Sequence, residues 1–170
     1  MDENFDSNNQ NNPYSANQGF SNPEANPLYG VKGWLQFFVI VNLYVSPVVF
    51  VLRTIISWVG YLLIVDSYPG IVVSGIIETV VVGYLVFRAV KMAKGLKEIK
   101  PGAVQEARLL LKLVLGWTIL SVPISLLSGI PFDSSTIIKG LVLGFVGFAV
   151  WYAYFNQSKR VQATYPDWNA

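Results

Sequence analysis

The sequence predicts an all-α, polytopic membrane protein, with four transmembrane helices in a bundle, both termini cytoplasmic and a disordered N-terminal tail. Three observations predict it. Of 170 residues, 53% are hydrophobic and only 13% charged, whereas soluble domains run nearer a quarter charged. The apolar residues collect in four continuous runs, each about as long as a bilayer core is thick. Ten of the twelve basic residues then fall on one side of the topology these runs define.

Residues 1–28 come first and differ from everything after them. Eight are Asn, three Pro, four acidic (Asp2, Glu3, Asp6, Glu24), and none is Lys or Arg. So little apolar surface cannot offset the entropy of ordering, which predicts a disordered tail. With neither a basic start nor an early apolar stretch, it does not read as a cleavable signal peptide. The first apolar helix is therefore expected to act as an uncleaved anchor.

The transmembrane domain is expected over 29–165, with 166–170 as a C-terminal tail. Its spans are 34–52, 71–90, 109–128 and 137–155, each of 19 or 20 residues. At 1.5 Å per residue, that matches a hydrocarbon core of about 30 Å. Outer-membrane strands would alternate polar and apolar residues, and these runs do not. Between the first two spans, the apolar segment 54–66 is too short to cross. Either it extends the first helix, or it lies in the interface, with Trp58, Tyr61 and Tyr68 at headgroup level. Pro47 is expected to kink the first helix just before Arg53.

Orientation follows from the cations. Arg88, Lys91, Lys94, Lys97, Lys100, Arg108 and Lys112 flank the second connection, Lys32 precedes the first span, and Lys159 and Arg160 follow the last. Only Arg53 and Lys139 fall on the other side. The positive-inside rule puts the crowded side, and both termini, in the cytoplasm of a bacterial inner membrane.

The chain has no Cys and no His. That excludes disulfides, thiolate nucleophiles, Cys/His zinc sites and imidazole bases. No cofactor, metal or catalytic group is expected, and a net charge of +2 gives no argument for nucleic acid. Ser46, Ser74, Ser121 and Ser125 lie inside spans without a base to activate them.

Glu78 is the most informative residue, because a charge at bilayer depth costs on the order of 3 kcal/mol or more. It should face the interior, where Ser74 and Gly75 on its own face permit close packing. Ser46 is expected at similar depth with Asn42 one turn further in, and Arg53 and Lys139 within reach of the carboxylate. One reading makes Glu78 a proton- or cation-binding group in a transport path. The other makes it a structural carboxyl tied across the bundle, and it stands ahead because no second acid lies inside any span.

Gly140, Gly144 and Gly147 form a small-residue stripe on the last span, expected to meet another helix of the same chain or of a second copy. Lys91, Lys94 and Lys97 share one side of a helical continuation that Lys100-Pro101-Gly102 breaks. Topogenic charge explains them, although the anionic lipid headgroups of the cytoplasmic leaflet are the expected neighbours. Asn156-Gln157-Ser158, Asn26-Pro27-Leu28-Tyr29 and the Gly-x-x-Gly of Gly30–Gly33 lack the context that would make them a glycosylation site, a recognition peptide or a phosphate loop.

Two runs carry a resemblance. Gly30-Val31-Lys32-Gly33-Trp34-Leu35-Gln36-Phe37-Phe38, with Pro47 beyond it, opens the domain, and Tyr154-Phe155-Asn156-Gln157-Ser158-Lys159-Arg160-Val161-Gln162-Ala163-Thr164-Tyr165 closes it. Together they are similar to the opening Gly-x-x-Gly-Trp-Leu-x-x-Phe and closing Tyr-Phe-x-x-Ser-Lys-Arg-Val-x-x-Thr-aromatic patterns of the bacterial inner-membrane domain of unknown function 2569. Gln162 stands where that pattern has a third basic residue. The resemblance covers 30–165, implies a four-helix integral membrane protein and supplies no activity.

Lys32 and Trp34 at one end and Lys159 and Arg160 at the other are expected to lie close together at the cytoplasmic interface. The functional expectation is a non-enzymatic subunit or scaffold that binds another membrane protein or itself. The alternative is a small proton-coupled transporter using Glu78, by loose analogy with four-helix drug exporters that work as dimers.

Overall fold

The computed structural model describes residues 26–131, 134–165 and 167–169, so nearly all of the tail read as disordered lies outside the described residues. Every regular element among them is helical. Four long helices, α1 (Trp34–Ile64), α2 (Gly70–Lys97), α3 (Ala103–Leu126) and α4 (Ser134–Gln157), are each long and apolar enough to cross a membrane. This is the makeup of a multi-pass membrane protein. A short α5 (Lys159–Thr164) follows, capped by the Ser158 hydroxyl, which accepts the Val161 N–H. At most 22% of any bilayer-length window is buried inside the protein, and in α4 none of it is. The apolar side chains point outward, as hydrocarbon permits and water does not.

The segment 54–66 resolves as an extension of the first helix: α1 runs unbroken for 31 residues to Ile64. Nothing between Arg53 and Ile64 terminates a helix. The stop comes where Ser67 and Tyr68 both donate to the Ile64 carbonyl and Pro69 caps α2. At about 1.5 Å per residue, α1 measures roughly 46 Å and exceeds a hydrocarbon core, so it tilts or protrudes. Its irregularity is a π-helical turn at Val41–Val45, where the Ser46 N–H reaches back five residues to the Val41 carbonyl. Pro47 follows at once. Proline supplies no N–H to the ladder and crowds the carbonyl four residues earlier, and the widened turn accommodates both.

The hairpin between α2 and α3 is closed by backbone. Lys100 N–H bonds to the Gly95 carbonyl at 2.9 Å and Ile99 N–H to that of Leu96 at 3.2 Å. This is the Schellman arrangement, which asks for a left-handed residue and usually finds glycine. Here it is Ile99, at φ 51°. A β-branched residue there costs roughly 1–2 kcal/mol; Ile99 packs against the core in return.

The core occupies one half of the molecule. Leu35, Phe38 and Val39 of α1 meet Leu85, Ala89, Ala93 and Leu96 of α2, Val104 and Ala107 of α3, Phe155 of α4, and Val161 and Tyr165 beyond it. All lie toward the end where α1 begins and α4 finishes. There Phe38 packs at 4.5 Å against the tilted Trp151 ring and edge-to-face at 5.0 Å on Phe155.

Candidate functional site

Toward the other end lies a cavity of about 520 Å³ to which all four helices contribute lining. Arg53 and Tyr61 come from α1, Ser74 and Glu78 from α2, Thr118, Ser121 and Ser125 from α3, and Gly140 and Leu141 from the start of α4. That volume falls within the range of small-molecule sites.

An ion pair lies on one wall. Arg53 Nη2 donates to Glu78 Oε1 at 2.6 Å, and the Tyr61 hydroxyl donates to the other carboxylate oxygen at 3.3 Å. Tyr61 gets that close because Gly75, one turn from Glu78, leaves room: a Cβ on Gly75 would stand 2.7 Å from the Tyr61 ring. Trp58 Nε1 donates to Thr79 Oγ1 at 3.1 Å and ties the same two helices beside the pair. Both oxygens of the Glu78 carboxylate are thus held within the chain, and Glu106, in the first turn of α3, pairs with Arg88 of α2.

The wall on α3 is a ladder of hydroxyls. Thr118, Ser121, Ser125 and Ser128 follow one another at three- and four-residue steps and so share a face. Thr118 donates to the Val114 carbonyl, Ser121 to Thr118, Ser125 to Val122 and Ser128 to Ser125. Ser74 on α2 likewise donates to the Ile71 carbonyl. Ser128, just past the end of α3, also accepts the Ile130 N–H; the other hydroxyls have spent their protons on their own helix, so their lone pairs remain for the cavity.

Of the intramembrane set anticipated from sequence, the structure brings Arg53 to Glu78 and leaves three residues away from it. Asn42 donates its amide to the Phe38 carbonyl at 2.8 Å, within the π-helical region. Ser46 is half-buried and outside the cavity lining. The depth match for both took the first span to end near Leu52; because α1 continues to Ile64, the residue level with Glu78 is Arg53. Lys139 is exposed on α4, apart from the pair. Near a helix start, a lysine reaches polar surroundings outward more readily than inward.

The glycine stripe divides. Gly144 faces α3, where an added Cβ would stand 2.7 Å from Thr118 Cγ2, while Gly140 and Gly147 have nothing within 4 Å. The stripe as a whole is therefore not an intramolecular contact.

At the termini-bearing end the two motif-carrying runs lie against each other. Gly30 N–H donates to Thr164 Oγ1 at 3.1 Å, and Arg160 Nη1 to the Leu28 carbonyl at 3.3 Å. The side chains of Lys32, Trp34 and Lys159 are exposed around this contact. Beyond α5, Tyr165 is buried and its hydroxyl donates to the Leu96 carbonyl at 2.6 Å. Burial, with Tyr154 and Tyr29 nearby, pushes its phenol well above the ordinary range. Residues expected to form a tail dock as well: Asp167 Oδ2 accepts the Gly102 N–H at 2.5 Å, its carbonyl accepts the Gln105 side-chain amide, and Trp168 lies under the Arg108 guanidinium. On the exposed loop, Lys100 beside Glu98 holds that carboxyl below its usual range.

Sequence reading missed Tyr61 as a partner of Glu78, having placed it at headgroup level, and missed the hydroxyl ladder, whose helical spacing was the available signal. Among the described residues no group of three Asp or Glu side chains gathers as a metal site would require. Set against models of known families, curated proteins and solved structures, the chain matches none.

Proposed function

We propose that this protein is a non-enzymatic, multi-pass subunit or scaffold of a bacterial inner membrane that works by binding another membrane protein. The observation that carries this is the uncovered face of α4. Its bilayer-length window has no buried residue, and Gly147, with nothing near it, sits among exposed Leu143, Val146 and Val150. In hydrocarbon, helices associate where a small residue lets backbones approach, and a glycine notch between bulky neighbours is such a place. The basic residues put the termini and the α2–α3 hairpin in the cytoplasm, with Lys91, Lys94 and Lys97 toward anionic headgroups. The runs at 30–38 and 154–165 support membership of the domain of unknown function 2569.

The test is the native mass of the complex, taken from its own host in mild detergent at natural expression. Co-purifying membrane proteins that are lost with Gly147→Leu, while the chain stays monodisperse, support the reading. A lone chain, unchanged by that substitution, overturns it.

A second reading, a transporter coupled through Glu78, draws on the cavity itself, which the packed half closes at one end. It stands behind the first because Arg53 and Tyr61 already hold both Glu78 oxygens. Loss of a transport activity in Glu78→Gln with folding intact would reverse that order.

A further inference from the structure

We infer that the cavity between the four helices is a binding site for a net-neutral zwitterion, a molecule joining a primary ammonium to a carboxylate or a phosphodiester. The inference concerns the interior of the protein and is independent of the partner surface on α4.

Three properties of the walls select this class. The charges on the lining are one cation and one anion, Arg53 and Glu78, already paired at 2.6 Å. A ligand with net charge would leave one charge uncompensated at bilayer depth, which is expensive, so the occupant must be neutral overall. Next, the Arg53 guanidinium carries five N–H donors, of which the structure engages one, on Glu78, while its side chain stays 66% exposed. The donors left over call for an oxyanion. Finally, the hydroxyls of Ser74, Thr118, Ser121 and Ser125 offer lone pairs with their protons spent on backbone. That wall calls for donors, and a primary ammonium supplies three in one compact group. An oxyanion toward α1 and an ammonium toward α3 satisfy both walls at once and leave the site neutral.

Two sources present this chemistry: a free amino acid, or the headgroup of an aminophospholipid entering from the bilayer. The chain has no cysteine, so Leu141→Cys, on the α4 wall and outside the proposed polar contacts, gives a single thiol in the cavity. Ser67→Cys, on the exposed α1–α2 connection, is the control. Each protein is held in phosphatidylcholine vesicles and its labelling by a small neutral thiol reagent is timed. The probes are alanine and glycerophosphoethanolamine, their N-trimethylated counterparts betaine and glycerophosphocholine, and the singly charged lactate and ethylamine. A zwitterion at about four times its dissociation constant should slow Leu141→Cys labelling about fivefold, by occupancy alone.

Protection by alanine assigns a free small molecule. Protection by glycerophosphoethanolamine alone, reproduced by adding phosphatidylethanolamine to the vesicles, assigns a lipid headgroup. Either requires the trimethylated and singly charged probes to fail and Ser67→Cys to be unaffected. Equal protection by betaine or lactate, or none by any probe, overturns the inference. In the Leu141→Cys background, Arg53→Gln with Glu78→Gln should abolish protection, read as the ratio to that variant's own ligand-free rate. Ser125→Ala, which leaves the ion pair intact, should weaken protection severalfold, and undiminished protection in both variants also overturns the inference.

Discussion

The termini-bearing half and the opposite half of these helices share one composition but use their few polar groups differently. In the first, most polar groups close backbone, Tyr165 on Leu96, Asp167 on Gly102 and Thr164 on Gly30, beside an Arg88–Glu106 pair that joins α2 to α3. They lie beside the main buried cluster, from Leu35 to Tyr165. In the second, the polar side chains are turned toward a cavity, and a single ion pair joins α1 to α2. A membrane protein gains little from burying leucine, since lipid is as apolar as a core. Buried Ala89, Ala93, Ala103 and Ala107, with these hydrogen bonds, draw the first half together, whereas in the second the close approaches are local, Gly75 on Tyr61 and Gly144 on Thr118, and a cavity remains between them.

The comparison breaks most sharply in the core. Phe155→Ala removes a fully buried ring and should cost about 3–5 kcal/mol, seen as a large fall in thermal stability in detergent. If the halves are distinct, the Arg53–Glu78 contact survives, read as unchanged coupling in a double-mutant cycle. That cycle is the next test. Arg53→Leu alone strands Glu78 and should cost on the order of 3 kcal/mol in a bilayer, whereas Arg53→Leu with Glu78→Leu should recover most of it. A double variant that loses the sum of the two single losses would show that the two side chains are not coupled.

Alkaline titration separates the halves by chemistry. The Tyr165 phenol is pushed up by burial, so its folded pKa exceeds its unfolded one. Its contribution is complete below the unfolded value near 10 and fades as pH rises above it. Raising the pH past about 11 should loosen the α5 region, read as faster hydrogen exchange or proteolysis after Lys159. Tyr165→Phe should remove that dependence at a cost of about 1 kcal/mol for the lost hydrogen bond. The smallest effect is expected at the glycines. Gly144→Ala should cost under about 1 kcal/mol, because the obstructing atom is a Thr118 methyl that can yield, and Gly147→Ala should be neutral in the isolated chain.

What was legible in the sequence follows the same division. Apolar length located four helices, because the cost of bringing an unsatisfied backbone into lipid leaves few alternatives. A charged residue inside a span identified Glu78, and long side chains near it nominated Arg53. Depth misled for Asn42 and Ser46, because hydropathy falls at Arg53 while helix geometry continues; a paired arginine does not end a helix. The docking of Asp167 and Trp168 was hidden, since it depends on where the α2–α3 turn lies in space. The cavity was hidden too: its hydroxyls read as ordinary interruptions of an apolar run, and only the arrangement of all four helices around them gives them a space to face.

The π-helical turn at Val41–Val45 sets the phase between the two halves. A widened turn holds one residue more than an α-helical turn, so everything after it is rotated by about 100° relative to the helix before it. Leu35 and Phe38 can then face the packed end while Arg53 and Tyr61 address α2 further along the same rod. Removing one residue from that turn would leave both faces intact in composition and aim Arg53 away from its carboxylate. The register of a single turn, far from either charge, acts as the indexing step that lets one continuous helix serve two differently built neighbourhoods.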